Sequence, residues 1–469
     1  MKRYREFHVG FLWDALGFAL FGGFALAVVM ALQIGNRWVL PPGWLTWIQV
    51  HGHVQLFGWA GAMIMGVSLY FLPRFVAVPI PRPSRVSVIR WTLLLGLAVE
   101  TVVRWISATW NHRSGSWFDR TFIGSGVFLQ VVAVGLYTAV VGSLFRHPQR
   151  KRSQAVHQVR PFFLMMLTGW WVYTLTHAGL AVTMLRQGTT RMDPAWHRWT
   201  VEVCMFVLIF PVAYAFSVRT FPLFLNVVPV RGRVHLWALG YALVELLHLI
   251  VRLPVHASWT VALFGLDGPL RLVRSAVMLG MIGKLHLVPR RPPPWVIEAA
   301  RVQARQPNRT PSRPHRMPRK HFPDYGEFGR FEWLLYGAYA WLSFGLVIDA
   351  GAAAMAILGR VAPYGEDAFR HSFLMGFVTL LILGMAQRML PGFMHRKGVA
   401  VPALVAWTAV FAHLGALLRV GPMLMGFAVF RSMGIPQVSL RLFAWSGICA
   451  WIAVALLAVQ MLLTYRSGK

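Results

Sequence analysis

Long apolar runs separated by short polar breaks dominate the chain. Twelve such runs can be read, at roughly 11–33, 45–72, 88–109, 122–145, 160–185, 199–224, 234–253, 256–282, 330–358, 368–390, 399–420 and 440–465. A stretch of about 20 apolar residues carries an α-helix across a hydrocarbon core, and lipid offers the backbone no hydrogen-bond partner but itself. The pattern predicts an all-α integral membrane protein with about 12 transmembrane helices, residues 1–469 forming a single polytopic membrane domain. The eighth run is the least regular, because Asp267, Arg271 and Arg274 interrupt it.

A shared grammar groups the runs in fours, over approximately 11–145, 160–282 and 330–465. The second run of the first group holds His51–Ala60 (HGHVQLFGWA) and closes on Leu72–Phe75 (LPRF). Its counterpart in the last group holds His371–Thr379 (HSFLMGFVT) and closes on Leu390–Phe393 (LPGF). Pro73 and Pro391 each stand twenty positions after a histidine, His53 and His371, and Gly66 and Gly384 each stand seven before the proline. In the middle group Glu202 holds the equivalent place, twenty before Pro222. The third run of each group sets an acid or a histidine shortly before an arginine: Glu100 and Arg104; Glu245, His248 and Arg252; His413 and Arg419. Together these predict three pseudo-symmetric four-helix arcs.

Composition strengthens the membrane reading and removes another. The chain is 57% hydrophobic, with mean hydropathy +0.55. Its net charge of +31 would suit nucleic acid if the charge lay on one soluble face. Instead it collects at Lys2, Arg3 and Arg5, along Arg146–Arg160, from Lys284 to Lys320, and at Arg396 and Lys397. All of these fall before the first run or after even-numbered ones. The positive-inside rule then puts both termini in the cytoplasm, with anionic lipid as the partner of the basic loops, and no role remains for nucleic acid. Residues 284–325 read as a basic, Pro/Arg-rich cytoplasmic loop, ten Lys and Arg against Glu298 alone between Lys284 and Lys320, with Trp295–Gln303 as a short interfacial helix. The first run reads as a retained anchor. Cys204 and Cys449 both fall in apolar runs and suit small buried side chains.

Ionisable side chains inside a span are costly and usually face a site. Six histidines, His51, His53, His177, His248, His371 and His413, fall at similar depth. The matched register of His53 and His371 selects them as axial ligands of one haem b, since neutral imidazole brings no net charge into lipid. His51 lies two residues from His53, hence about 200° around the helix, and cannot face the same iron. It is left for a second site, a cap or a hydrogen bond. Arg104, Arg252 and Arg419 are candidates for the haem propionates, because guanidinium pairs with carboxylate through two parallel bonds. His177, His248 and His413 are the remaining candidates for a second metal site. The blander reading of each histidine is a hydrogen-bonded structural role, of each arginine snorkelling to the interface, and of Glu100, Glu202 and Glu245 ion pairing rather than proton relay.

The runs from His51 to Phe75 and from His371 to Phe393 resemble helices of NnrS-like membrane proteins, distant relatives of the haem–copper oxidase catalytic subunit (subunit I). The resemblance implies the oxidase subunit I architecture, a prokaryotic inner membrane, and a link to nitric oxide stress. It also implies low-spin haem ligands on the second and tenth helices, at His53 (or His51) and His371, and leaves room for a second haem or copper. The departures are specific. His371 stands between Phe369 and Phe373, where oxidases place two histidines two apart; helix six offers Glu202 and Cys204; helix seven has His248 and no adjacent pair. The expected function is therefore membrane electron transfer, as a subunit of a respiratory or nitrogen-oxide-related redox complex with a cytochrome c-like or quinol partner. An oxygen or nitric oxide reductase with an unconventional metal site, and a twelve-helix transporter, are the alternatives.

Overall fold

Backbone donors and acceptors in lipid must pair within their own segment, and the apolar runs accordingly fold as helices. The computed structural model describes residues 7–80, 82–110, 116–147, 154–255, 263–288, 326–424 and 436–467, and no strand forms among them. Ten helices are long and apolar enough to cross a membrane. They are α1 (Val9–Gly35), α2 (Trp44–Val76), α3 (Ser84–Thr109), α4 (Trp117–Arg146), α6 (Pro194–Phe224), α7 (Val234–Val251), α9 (Phe331–Ile357), α10 (Glu366–Phe393), α11 (Pro402–Leu424) and α12 (Val438–Arg466). Two further long helices, α5 (Gln154–Arg186) and α8 (Asp267–Lys284), lie between them. All but the first five residues of the expected basic loop at 284–325, including its interfacial helix, lie at 289–325, outside the described residues.

Of the eighth run, expected over 256–282, residues 256–262 lie outside the described residues; a 3-10 turn at Phe264–Leu266 leads directly into α8 at Asp267. Asp267 sits in the first turn of this α-helical stretch, where a carboxylate complements the helix dipole. Arg271 and Arg274, one and two turns on, are buried against Asp349 of α9.

Helices adjacent in sequence pack together, and α12 returns against both α11 and α1, so the chain closes on itself. The interior belongs to α2, α6 and α10. Their apolar windows are 72%, 78% and 83% buried, against 33% to 50% for the other seven spans. These are the three helices with the shared grammar, and each contains a widened π turn, at Val54–Gly61, Cys204–Ile209 and Ser372–Thr379. The turns open one residue after His53, two after Glu202 and one after His371. Such turns are uncommon and concentrate at functional sites. The three prolines fall in the last turn of each helix, where the C-terminal carbonyls lack helical donors in any case.

Helices α3 and α4 approach closely because each offers a glycine to the other's backbone. A Cβ on Gly96 would meet the Gly126 carbonyl at 2.7 Å, and one on Gly126 would meet the Gly96 carbonyl at 2.8 Å. Close contact of this kind is how helices associate in lipid. Gly96→Val should therefore lower stability by about 1–3 kcal/mol, the usual cost of overpacking. A fall in the thermal unfolding midpoint in detergent would register it; an unchanged midpoint would mean the helices part without cost.

Candidate functional site

Near the starts of α2 and α10 lies a cavity of about 320 Å³, at the lower end of the small-molecule range. Phe24, Trp59, Leu374, Met375 and Val378 are among its apolar walls, and His51, His371 and Arg419 also line it. His51 Nδ1–H donates to the Gly23 carbonyl at 2.8 Å. Gly23 closes the π turn of α1. His371 Nδ1–H donates to the Asp367 carbonyl one turn earlier, also at 2.8 Å. A carbonyl only accepts, so the proton sits on Nδ1 in both rings and the lone pair on Nε2. Neither Nε2 has a hydrogen-bond partner among the described residues. Arg419 is buried, stacks at 4.3 Å over Phe443, and has no acidic partner among the described residues.

His53 points away from this cavity, into a buried centre between α2, α3, α4 and α5. Its Nε2–H donates to Gln130 Oε1 at 2.9 Å, and its Nδ1 accepts from the Tyr173 hydroxyl at 2.8 Å. His177 stacks on it, ring centroids 3.9 Å apart and planes within 7°. Glu100 joins them, with one oxygen 2.9 Å from His177 Nε2 and the other 3.4 Å from His53 Nε2. Gln130 donates to Glu100 at 2.6 Å, and Arg104 lies 3.3 Å from the carboxylate while also donating to Gln49. Both nitrogens of His53 are thus occupied by protein. The structure brings His51, not His53, to the same cavity as His371.

A third centre fills the space among α6, α7, α8, α9 and the start of α10 with ion pairs. Asp349 receives Arg271 at 2.5 Å and Arg274 at 2.9 Å. Arg252 meets Glu202 at 3.1 Å, Glu366 at 2.9 Å and Asp267 at 3.6 Å. His248 lies 3.1 Å from Arg274 and 3.3 Å from Asp267. A buried charge persists only when paired, which explains why acids and arginines occur here together.

Of the three arginines expected near a haem, only Arg419 lines the cavity; Arg104 and Arg252 are each held by carboxylates in the other two centres. The expected trio His177, His248 and His413 does not converge. His177 belongs to the Glu100 centre, His248 to the ion-paired one, and His413 accepts from Trp341 at 3.3 Å and reaches the Trp333 carbonyl at 3.4 Å. They sit on α5, α7 and α11, three helices facing three different compartments.

No protein-family model matches the chain, and no curated protein sequence does. A solved structure does: a haem–copper terminal oxidase, determined as a dimer by cryo-electron microscopy, aligns with TM-score 0.64 at 13% identity over 99% of this chain and 84% of its own. The chain has the fold of a haem–copper oxidase. Within that fold the chain is a multi-pass membrane protein, and likeness at this level of identity speaks to architecture alone. Sequence reasoning missed several residues that the oxidase fold gathers here. Tyr173 and Gln130 carry no motif, and only their polarity within apolar runs marks them. Asp349 was detectable as the one carboxylate in the middle of α9, a position where lipid tolerates it only with a partner.

Proposed function

We propose that the protein is a membrane haem protein in which His51 and His371 are the two axial ligands of a low-spin b-type haem. The observation that carries this is the matched anchoring of the two imidazoles. Metal-bound histidine usually donates its other ring N–H to a carbonyl or carboxylate, which sets both tautomer and direction. Here each ring is held in that way, and each leaves an Nε2 lone pair at one cavity. The residues fit the group in two further respects: the walls are apolar and aromatic, and Arg419 is a buried cation suited to a propionate. When bound, the haem would supply one-electron transfer. The protein's part is to fix both imidazoles, exclude water with Trp59, Phe24 and Met375, and balance charge with Arg419.

Electron transfer is favoured over reduction of oxygen or nitric oxide. With His51 and His371 both committed as ligands, a bound haem would have no place for a gas. The region between α6, α7 and α8 is committed to ion pairs, with Glu202 and His248 both bound by charged neighbours. In this reading α5 and α8 also cross the bilayer, giving twelve spans in three arcs around α2, α6 and α10. Both termini are cytoplasmic in a prokaryotic inner membrane, and the chain serves an NnrS-like role within a larger redox complex, exchanging electrons with a cytochrome c-like or quinol partner.

The test is a dithionite-reduced minus oxidised visible spectrum of purified protein, with and without carbon monoxide. The expected result is a sharp b-type alpha band that carbon monoxide does not move. A carbon monoxide shift would indicate an open iron and return the reductase reading. No haem absorbance would sink the proposal.

A further inference from the structure

The His53 centre is separate from the haem cavity and is not used by the electron-transfer reading. Three potential ligands converge there from three helices: His53 on α2, Glu100 on α3 and His177 on α5. Their nitrogen and oxygen atoms all lie within 4.8 Å of one another, and all three side chains are buried. We infer that His53, Glu100 and His177 form a binding site for a single divalent transition-metal ion, held by the two Nε2 atoms and the carboxylate.

The distances suit one ion. Ligand atoms about 2.1 Å from a metal, at ordinary angles between them, stand roughly 3.0–3.5 Å from each other. Glu100 lies 2.9 Å from His177 Nε2 and 3.4 Å from His53 Nε2, and the ion would enter beside the carboxylate as the two stacked rings tilt apart and turn their in-plane lone pairs toward it. Loading requires both Nε2 protons to leave; each neutral ring keeps one proton, which for His177 moves to its own Nδ1 as the ion takes Nε2. For His53 the neighbouring groups already provide for this: the proton moves to Nδ1, where the Tyr173 oxygen, now 2.8 Å away as a donor, becomes the acceptor. Gln130 then releases His53 and keeps its 2.6 Å bond to Glu100, steadying the carboxylate.

The donor set limits which ion. Two imidazoles and one carboxylate suit zinc or ferrous iron; calcium and magnesium prefer an all-oxygen shell, and copper(I) prefers sulfur. Arg104 already offsets the Glu100 charge at 3.3 Å, so a dication would leave the centre positive. A hydroxide at the open fourth position would reduce that excess.

Zinc separates this site from haem iron. Full-length protein purified in detergent is stripped with a chelator, dialysed against zinc, and assayed for bound zinc per chain by mass spectrometry. Wild type is expected to hold one equivalent. Glu100→Gln and His177→Ala should bind at least about tenfold more weakly while keeping the haem band. X-ray absorption at the zinc edge of wild type, which needs no variant, should show imidazole scattering at about 2.0–2.1 Å. Zinc no higher than in both variants, or a zinc spectrum without imidazole, would overturn the site. Because the haem band is read independently, failure here and failure of the haem proposal are distinguishable.

Discussion

Replacing His51 or His371 with alanine strips the haem band from the purified protein, and replacing His53 leaves it in place. This is the largest effect expected on cofactor content, with haem per chain falling by more than about tenfold in the first two variants. It follows from where the lone pairs lie. His51 and His371 each commit Nδ1 to a carbonyl and hold Nε2 at the cavity, whereas both nitrogens of His53 are bonded to Tyr173 and Gln130. Losing either imidazole would leave a bound haem with one protein ligand and a void beside it. The pyridine haemochrome assay on the three variants checks this directly. Haem loss in His53→Ala with retention in His51→Ala would reverse the assignment and restore the pairing suggested by register.

Asp349→Ala produces the largest expected loss of stability, about 3–5 kcal/mol, the usual consequence of stranding a buried charge. Asp349 is 2% exposed and holds two guanidinium groups, both themselves buried. Without it, each guanidinium loses its nearest carboxylate in a medium of low dielectric, leaving Arg271 with Asp267 at 3.7 Å and Arg274 with Glu245 at 3.8 Å. The measurement is the thermal unfolding midpoint in detergent, compared with wild type. Removing one stranded cation should recover part of the loss. Asp349→Leu combined with Arg271→Met is therefore expected to be more stable than Asp349→Ala, since Arg274 retains Glu245 at 3.8 Å. If the single variant unfolds at the wild-type midpoint, the ion-paired centre is wet and contributes little.

Much of this architecture is legible in the chain because lipid restricts the choices. A run such as Phe331–Ile357 has no alternative to a helix in hydrocarbon, and its single central acid must find a partner. The repeated spacing of histidine or glutamate to proline marks α2, α6 and α10 as equivalent, and these are the three helices that form the interior. The ion pair of Glu100 with Arg104 follows from a spacing of one helical turn. By contrast, Asp349 with Arg271, or Tyr173 with His53, joins residues remote in sequence, and no local pattern encodes such pairs.

The sequence by itself determined which three helices are equivalent, where along each helix the histidines fall, and that acids within apolar runs need cations. The tertiary structure decided which way each histidine faces. Twenty residues to a proline set height, and His51 and His53 differ in height by only about 3 Å while pointing about 200° apart. Equivalent residues of the three inner helices each face the helix that follows their own: His53 meets Glu100 of α3, Glu202 meets Arg252 of α7, and His371 shares its cavity with Arg419 of α11. Matched register therefore sends His53 and His371 into different compartments, and it is His51, on the opposite face of α2, that reaches back toward α10. Height is a property of one helix, but direction depends on how the helices are arranged around one another, and that arrangement exists only once the chain has closed.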